Sequence, residues 1–174
     1  INVDFEKIDL GKLVRQTLAD LNDQITQSGL IFKVNIPEHP IFIMSDGKKL
    51  YRVFLNLISN ALKYSLIGSR VYIDLVVGNG NSNFSNKSIA VNNDMTSHQN
   101  AAVGVGASTQ VTAIIKNIAN YEMSFSEDEI LERFARGDKA RSSEGSGLGL
   151  AIAQSFTQVC GGKFNIIIDG DMFK

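Results

Sequence analysis

The chain has 174 residues, 44% of them hydrophobic and 20% charged, with a formal net charge of −1. That length supports one sizeable core, and the near-neutral balance speaks against a general binder of nucleic acid or membrane surfaces. The single cysteine, Cys160, excludes an internal disulfide and fits a reducing compartment, and no apolar run approaches the ~18 residues that span a bilayer. No signal peptide is visible, and the start at Ile1 rather than Met suggests an excised piece of a longer protein.

Asp9 reads as the N-cap of a helix with Leu10, Leu13, Val14, Leu18, Leu21 and Ile25 on one face. Residues 31–36 alternate as a strand does and stop at Pro37; residues 41–44 form a short second strand. From Lys48 the apolar positions Leu50, Val53, Phe54, Leu57, Ile58, Ala61 and Leu62 recur at the spacing of a half-buried helix. Residues 70–77 and 110–116 are two further strands. Between them, residues 78–108 are rich in Gly, Asn and Ser, and a flexible hairpin insertion is expected there rather than a second domain. Ser126 and Glu129 form a capping box that opens a short helix. A last helix is expected from Gly147 to about Val159, and residues 162–168 close the sheet. The order predicts a single α/β domain over 1–174: a two-layer sandwich of a mixed sheet covered on one face by helices.

Two segments carry chemistry. Asn56, Asn60 and Lys63 fall at i, i+4 and i+7 and share one helix face. A carboxamide oxygen is a hard ligand suited to magnesium. An ammonium one turn on meets phosphate as a point charge, and Tyr64 offers a flat ring to a purine. Further on, Gly145, Gly147 and Gly149 alternate with Ser146, Leu148 and Leu150, and a helical run through Ala151, Ile152, Ala153 and Phe156 follows. Glycines let a ligand approach the main chain, and a helix that starts there presents free N–H groups to an anion. Taken alone, the first pattern also fits a solvated helix face and the second a flexible cap. No strand leads into the glycines and no Gly-Lys-Ser/Thr ending follows, so neither the dinucleotide fingerprint nor the P-loop applies.

Residues 56–65 resemble the N box of sensor histidine kinases, and residues 145–150 their second glycine box. Residues 130–138 resemble the F box, and Asp46, Leu50, Arg52 and Val53 fit the approach to the N box. The chain is thus similar, over nearly its whole length, to the catalytic ATP-binding domain of these kinases, within the wider ATPase superfamily of gyrase, mismatch-repair proteins and heat-shock chaperones. The resemblance implies a Bergerat-type fold with a flexible lid over about 136–146. It implies ATP and Mg2+ as cofactors, with Asn60 on the metal, Asn56 and Lys63 on the phosphates or the metal shell, and Tyr64 over the adenine. Arg136 would reach the γ-phosphate, so that Asn56, Lys63 and Arg136 carry catalysis. Gly145, Ser146, Gly147, Leu148 and Gly149 would supply the lid hinge and main-chain donors, and Phe134 would anchor the lid.

One box departs from that pattern. Where the family has Asp-x-Gly-x-Gly after a strand, this chain has Asn117, Ala119 and Tyr121. Asn117 can still accept from the adenine amine, more weakly than a carboxylate, and Ala119 crowds the base, so low affinity and relaxed adenine specificity are expected. A third glycine box is absent near 170–174. His39 and His98 sit in loop sequence without the neighbours of a phosphoacceptor, and Cys160 reads as a buried or capping residue. The expected activity is transfer of the ATP γ-phosphoryl to a His on a separate dimerisation domain of the same kinase, with a response regulator downstream. The expected location is the cytoplasmic part of a membrane-anchored bacterial protein, with no nucleic acid partner and no direct membrane contact. Two alternatives are a degenerate module that binds nucleotide or partners without catalysis, and a gyrase-like clamp, which would need a transducer domain.

Overall fold

A mixed sheet faces a layer of helices on one side and solvent on the other. The computed structural model describes residues 2–79, 89–92, 109–121, 126, 128–129 and 148–174. Strand β1 (Glu6–Asp9) leads into helix α1 (Leu10–Asp20) and the short α2 (Asn22–Gln27). Strands β2 (Ile31–Asn35) and β3 (Phe42–Ser45) precede the long helix α3 (Gly47–Tyr64). Strands β4 (Arg70–Asn79), β5 (Ile89–Asn92) and β6 (Thr109–Ile118) follow. Helix α4 (Gly149–Val159) and the short strands β7 (Gly162–Lys163), β8 (Ile168–Asp169) and β9 (Met172–Phe173) end the chain.

The main sheet runs β2-β4-β6-β5-β7, with β9 paired to the end of β6. Among the described strands only β2 and β4 pair in parallel; β6 is antiparallel to both β4 and β5. Alternation along β4 and β6 explains the two faces. Val71, Ile73, Leu75, Val111 and Ala113 point into the core, where they meet Val14, Leu50, Phe54, Ile58, Leu150 and Ala153 from the helices. Tyr72, Asp74 and Lys116 take the other face; there Lys116 lies 3.7 Å from Asp74 and 5.2 Å from the Tyr72 ring centroid.

Several expectations are corrected. The first helix is not continuous: Leu21, at φ −97° and ψ 5°, ends α1. That turn buries Leu21 to 5% exposure, while α2 beyond it has no fully buried residue and only its Ile25 packs partly against the core. Strand β1 was not foreseen; it pairs with β3 in a separate two-stranded sheet. The segment 78–108 is not wholly an insertion outside the sheet. β4 extends to Asn79, and Ile89–Asn92 form a strand between β6 and β7. The closing strand expected over 162–168 is only two residues long. After Lys163 the chain leaves β5, and β8 and β9 form a hairpin instead. The capping box holds: the Ser126 N–H donates to Glu129 Oε2 at 2.8 Å and the Glu129 N–H to Ser126 Oγ at 3.2 Å. The expected lid lies outside the described residues.

Candidate functional site

Asp46 fixes the start of α3. Its Oδ1 accepts from the Lys49 N–H at 3.0 Å, and its Oδ2 accepts from Lys49 Nζ at 2.6 Å and from the Asp4 N–H at 3.1 Å. The Lys49 side-chain bond, followed by these two backbone bonds, holds the Asp46 carboxyl well below the usual carboxylate range. From that cap the helix buries Leu50, Val53, Phe54, Leu57, Ile58 and Ala61. The same rotation leaves Asn56 and Asn60 half-buried on the adjoining face and Lys63 exposed.

The start of α4 meets that face. Leu150 and Ala153 sink into the core, and this seats Gly149 on the two carboxamides. A Cβ on Gly149 would lie 3.7 Å from Asn60 Oδ1 and 3.8 Å from Asn56 Oδ1. Among the described residues no side chain caps the helix at Leu148, and the first N–H groups of a helix have no intrahelical partner. The main chain at an anion-favouring helix end thus stands directly over hard oxygen ligands.

The far end of α3 is stitched to the far end of β6. The Asn120 N–H donates to the Tyr64 carbonyl at 2.8 Å, and the Leu66 N–H to the Ile118 carbonyl at 2.9 Å. Ser65 and Ala119 form an isolated antiparallel bridge. These bonds bring Tyr64 beside Tyr121, ring centroids 6.2 Å apart and planes at 82°, an edge-to-face pair. Burial, and then the neighbouring Tyr64, raises the Tyr121 hydroxyl above its ordinary pKa. Lys63 Nζ sits 5.2 Å from the Tyr64 ring centroid.

Between these parts lies an open cleft, whose empty space together with the solvent at its mouth is about 780 Å³. Its floor is the inward face of β6: Ala113, Ile115, Asn117 and Ala119. One wall is α3, through Leu57, Asn60, Ala61 and Tyr64; Leu150 of α4 closes one end. The opposite wall is the C-terminal segment, where Phe164, Asn165, Ile166, Phe173 and Lys174 line the cleft. β9 holds that wall in place by pairing Phe173 with Asn117 and Met172 with Ile118, and the Ala119 N–H donates to the Asp171 carbonyl at 2.7 Å.

Of the residues singled out from sequence, Asn60, Tyr64 and Asn117 line one cleft. Asn56 stands beside Asn60 under Gly149, Leu148 is exposed at the head of α4, and Lys63 lies at the outer edge of the same helix end. Phe134, Arg136, Gly145, Ser146 and Gly147 lie outside the described residues. Sequence reasoning missed Tyr121 as a cleft residue, though its place in the altered box pointed there. It also missed the wall from 164 to 174. The alternation of buried Phe164 and Ile166 with exposed Asn165 was the available signal.

Residues 45–171 match the family described as histidine kinase-, DNA gyrase B-, and HSP90-like ATPase. The chain is 31% identical over 147 residues to the sensor histidine kinase WalK of Bacillus subtilis, covering 83% of this chain and 20% of WalK. It is 29% identical over 146 residues to the sensor histidine kinase RppB of Synechocystis, covering 80% of this chain and 26% of RppB. The chain therefore spans only about a fifth to a quarter of these relatives. Among solved structures, the catalytic domain of histidine kinase ThkA superposes with a TM-score of 0.65 at 16% identity, covering 98% of this chain and 92% of the other. The mycobacterial sensor histidine kinase MprB gives 0.63 at 21% identity, covering 98% and 94%. At those identities the structures speak to the fold.

Proposed function

The chain belongs to the family of histidine kinase-, DNA gyrase B- and HSP90-like ATPases, as an ATP-binding catalytic domain of the sensor histidine kinase type, and we propose that it hands the γ-phosphoryl of ATP to a histidine on a separate dimerisation domain. The observation that carries this reading is the seat of Gly149 on Asn60 and Asn56, above a cleft floored by Asn117. Phosphoryl transfer asks mainly for positioning and neutralisation of charge. Asn117, Tyr64 and Tyr121 would hold the base end. Asn56, Lys63 and the main chain from Gly145 through Ser146, Gly147, Leu148 and Gly149 would hold the phosphates, and Arg136 would approach the γ-phosphate.

The donor set at this place suits Mg2+. Carboxamide oxygens of Asn60 and Asn56 stand together, and among the described residues no three His, Cys, Asp or Glu gather to bind a metal. A cation here would take one or two protein oxygens and complete its shell with phosphate and water, as magnesium does. When bound, Mg2+ neutralises the charge that develops on the phosphates. Asn60 would be its protein ligand.

The same reading gives one domain over 1–174 in a longer, membrane-anchored bacterial sensor, with the fragment on the cytoplasmic side and a response regulator as the final acceptor. Among the described residues no helix is long and apolar enough to cross a membrane. Calorimetric titration with ATP, with and without Mg2+, tests the binding step. Mixing the loaded chain with a histidine-bearing dimerisation domain and radiolabelled ATP tests the transfer. A chain that binds no ATP at millimolar Mg-ATP would belong to the degenerate, non-catalytic class instead.

A further inference from the structure

β6 brings one buried polar side chain to the floor of the cleft. Asn117 is 5% exposed and shares the inward face of the strand with Ala113 and Ala119. Its main chain is fixed by pairing with Phe173. Among the described residues its carboxamide has no hydrogen-bond partner, and it is not one of the fully sealed unpartnered groups, so its polar atoms open to the cleft. Buried polar groups have partners as a rule, and a carboxamide held at the wall of a cleft finds its partner in what enters the cleft.

We infer that Asn117 opens the base end of this cleft to 6-oxo purine nucleotides, those of hypoxanthine and guanine, alongside adenine nucleotides. The inference rests on the nucleotide-binding reading above. An ionised carboxylate only accepts hydrogen bonds, so in this position it fits an exocyclic amine and opposes a keto oxygen. A carboxamide carries an acceptor and two donors, and a half-turn exchanges them. In one sense Oδ1 accepts from the adenine N6 amine while Nδ2 donates to N1. In the other, Nδ2 donates to the purine O6 while Oδ1 accepts from the N1–H. Both atoms pair either way, so neither base leaves a buried group orphaned. Ala113, Ile115, Ala119, Leu57 and Ala61 line the same cleft and are apolar, while its polar lining comes from Asn60, Tyr64, Tyr121, Asn165 and Lys174; the apolar neighbours do not hold the amide in one sense.

Calorimetry of the 174-residue chain with ATP and with inosine triphosphate, both in Mg2+, tests this, alongside Asn117→Asp. The expected result is inosine triphosphate binding within about tenfold of ATP. The Asn117→Asp chain should then prefer ATP by about a hundredfold or more, as sites that reject an unmatched polar edge do. Wild-type affinity for inosine triphosphate weaker than ATP by more than about tenfold overturns the inference and leaves the ATP reading standing. Failure of both nucleotides to bind overturns the two together. Should the buried carboxylate unfold the variant, seen as a lost thermal transition, the wild-type pair of titrations decides alone.

Discussion

Gly149 faces Asn60 across the gap between α4 and α3: a Cβ on the glycine would lie 3.7 Å from Asn60 Oδ1. The distance is that of ordinary van der Waals contact, so the fold has room for a methyl group, while a phosphate oxygen seeking the main chain there does not share that room. Gly149→Ala is therefore expected to keep or slightly raise the melting temperature, since Ala outranks Gly in helices by up to about 1 kcal/mol. Affinity for Mg-ATP should fall by about tenfold or more, a loss of about 1.4 kcal/mol. Paired thermal melts and titrations check the split; a variant that loses stability and affinity in proportion would point to a packing role for Gly149 alone.

Asn60 makes a second separation measurable. It is half-buried and sits beside Asn56 rather than in the apolar core, so Asn60→Ala should cost little stability, within about 0.5 kcal/mol. What it should remove is the gain in ATP affinity on adding Mg2+. Titrations in EDTA should give nearly the same affinity for wild type and variant. A variant whose affinity still rises with Mg2+ as the wild type's does would take Asn60 off the metal.

Asp46 links the site's scaffold to pH. Its folded pKa is depressed, first by the Lys49 side chain and then by the N–H groups of Lys49 and Asp4. A carboxyl that binds its proton less readily when folded adds stability above its unfolded pKa, about 3.9. That stability is lost as pH falls through the range below. Asp46→Ala should lower stability at pH 7 by about 1 kcal/mol for the cap, and more where Lys49 is left unpaired. The gap in urea midpoints between wild type and variant should begin to close at pH 3.5 and close further as pH is lowered toward the depressed folded pKa; a gap unchanged by acid would assign the loss to packing.

The legible parts of this fold are those whose pattern is local. α3 shows because six of its buried residues follow the helical period from an aspartate cap, and β4 and β6 because their faces alternate. Glu6–Asp9 could not be read as a strand: its reason to extend is the ladder to Phe42–Ser45, and that partner lies more than thirty positions away. Asn56 and Asn60 were legible as a face, and the glycines as a helix start, yet nothing in either segment says that Gly149 rests on Asn60. That contact is made by Leu150 and Ala153 packing into a shared core. The wall from Phe164 to Lys174 stayed hidden for a related reason. It depends on a hairpin through Gly170, at φ 58°, docking β9 on the end of β6 by main-chain bonds that any sequence can make.

Tyr121 offers the sharpest contrast of outcomes, because it occupies a position where the family resemblance calls for glycine. One consequence would be crowding, in which case Tyr121→Gly would tighten nucleotide binding. The geometry favours the opposite. Tyr121 meets Tyr64 edge-on at 6.2 Å, and the Asn120 N–H, one residue before it, holds the Tyr64 carbonyl at 2.8 Å. The two rings brace each other at the cleft, and Tyr64 is the ring that would cover the base. Removing Tyr121 should cost about 0.5–1.5 kcal/mol of stability for the lost aromatic pair. It should also weaken ATP binding several-fold, because Tyr64 is then free to leave the stacking position, and stacking of a base on an aromatic side chain contributes about 1–3 kcal/mol. Tyr121→Phe keeps the ring and should retain both properties, since the hydroxyl, its pKa raised by burial, stays neutral at physiological pH. Tighter binding by Tyr121→Gly would show that the tyrosine obstructs the site rather than building it.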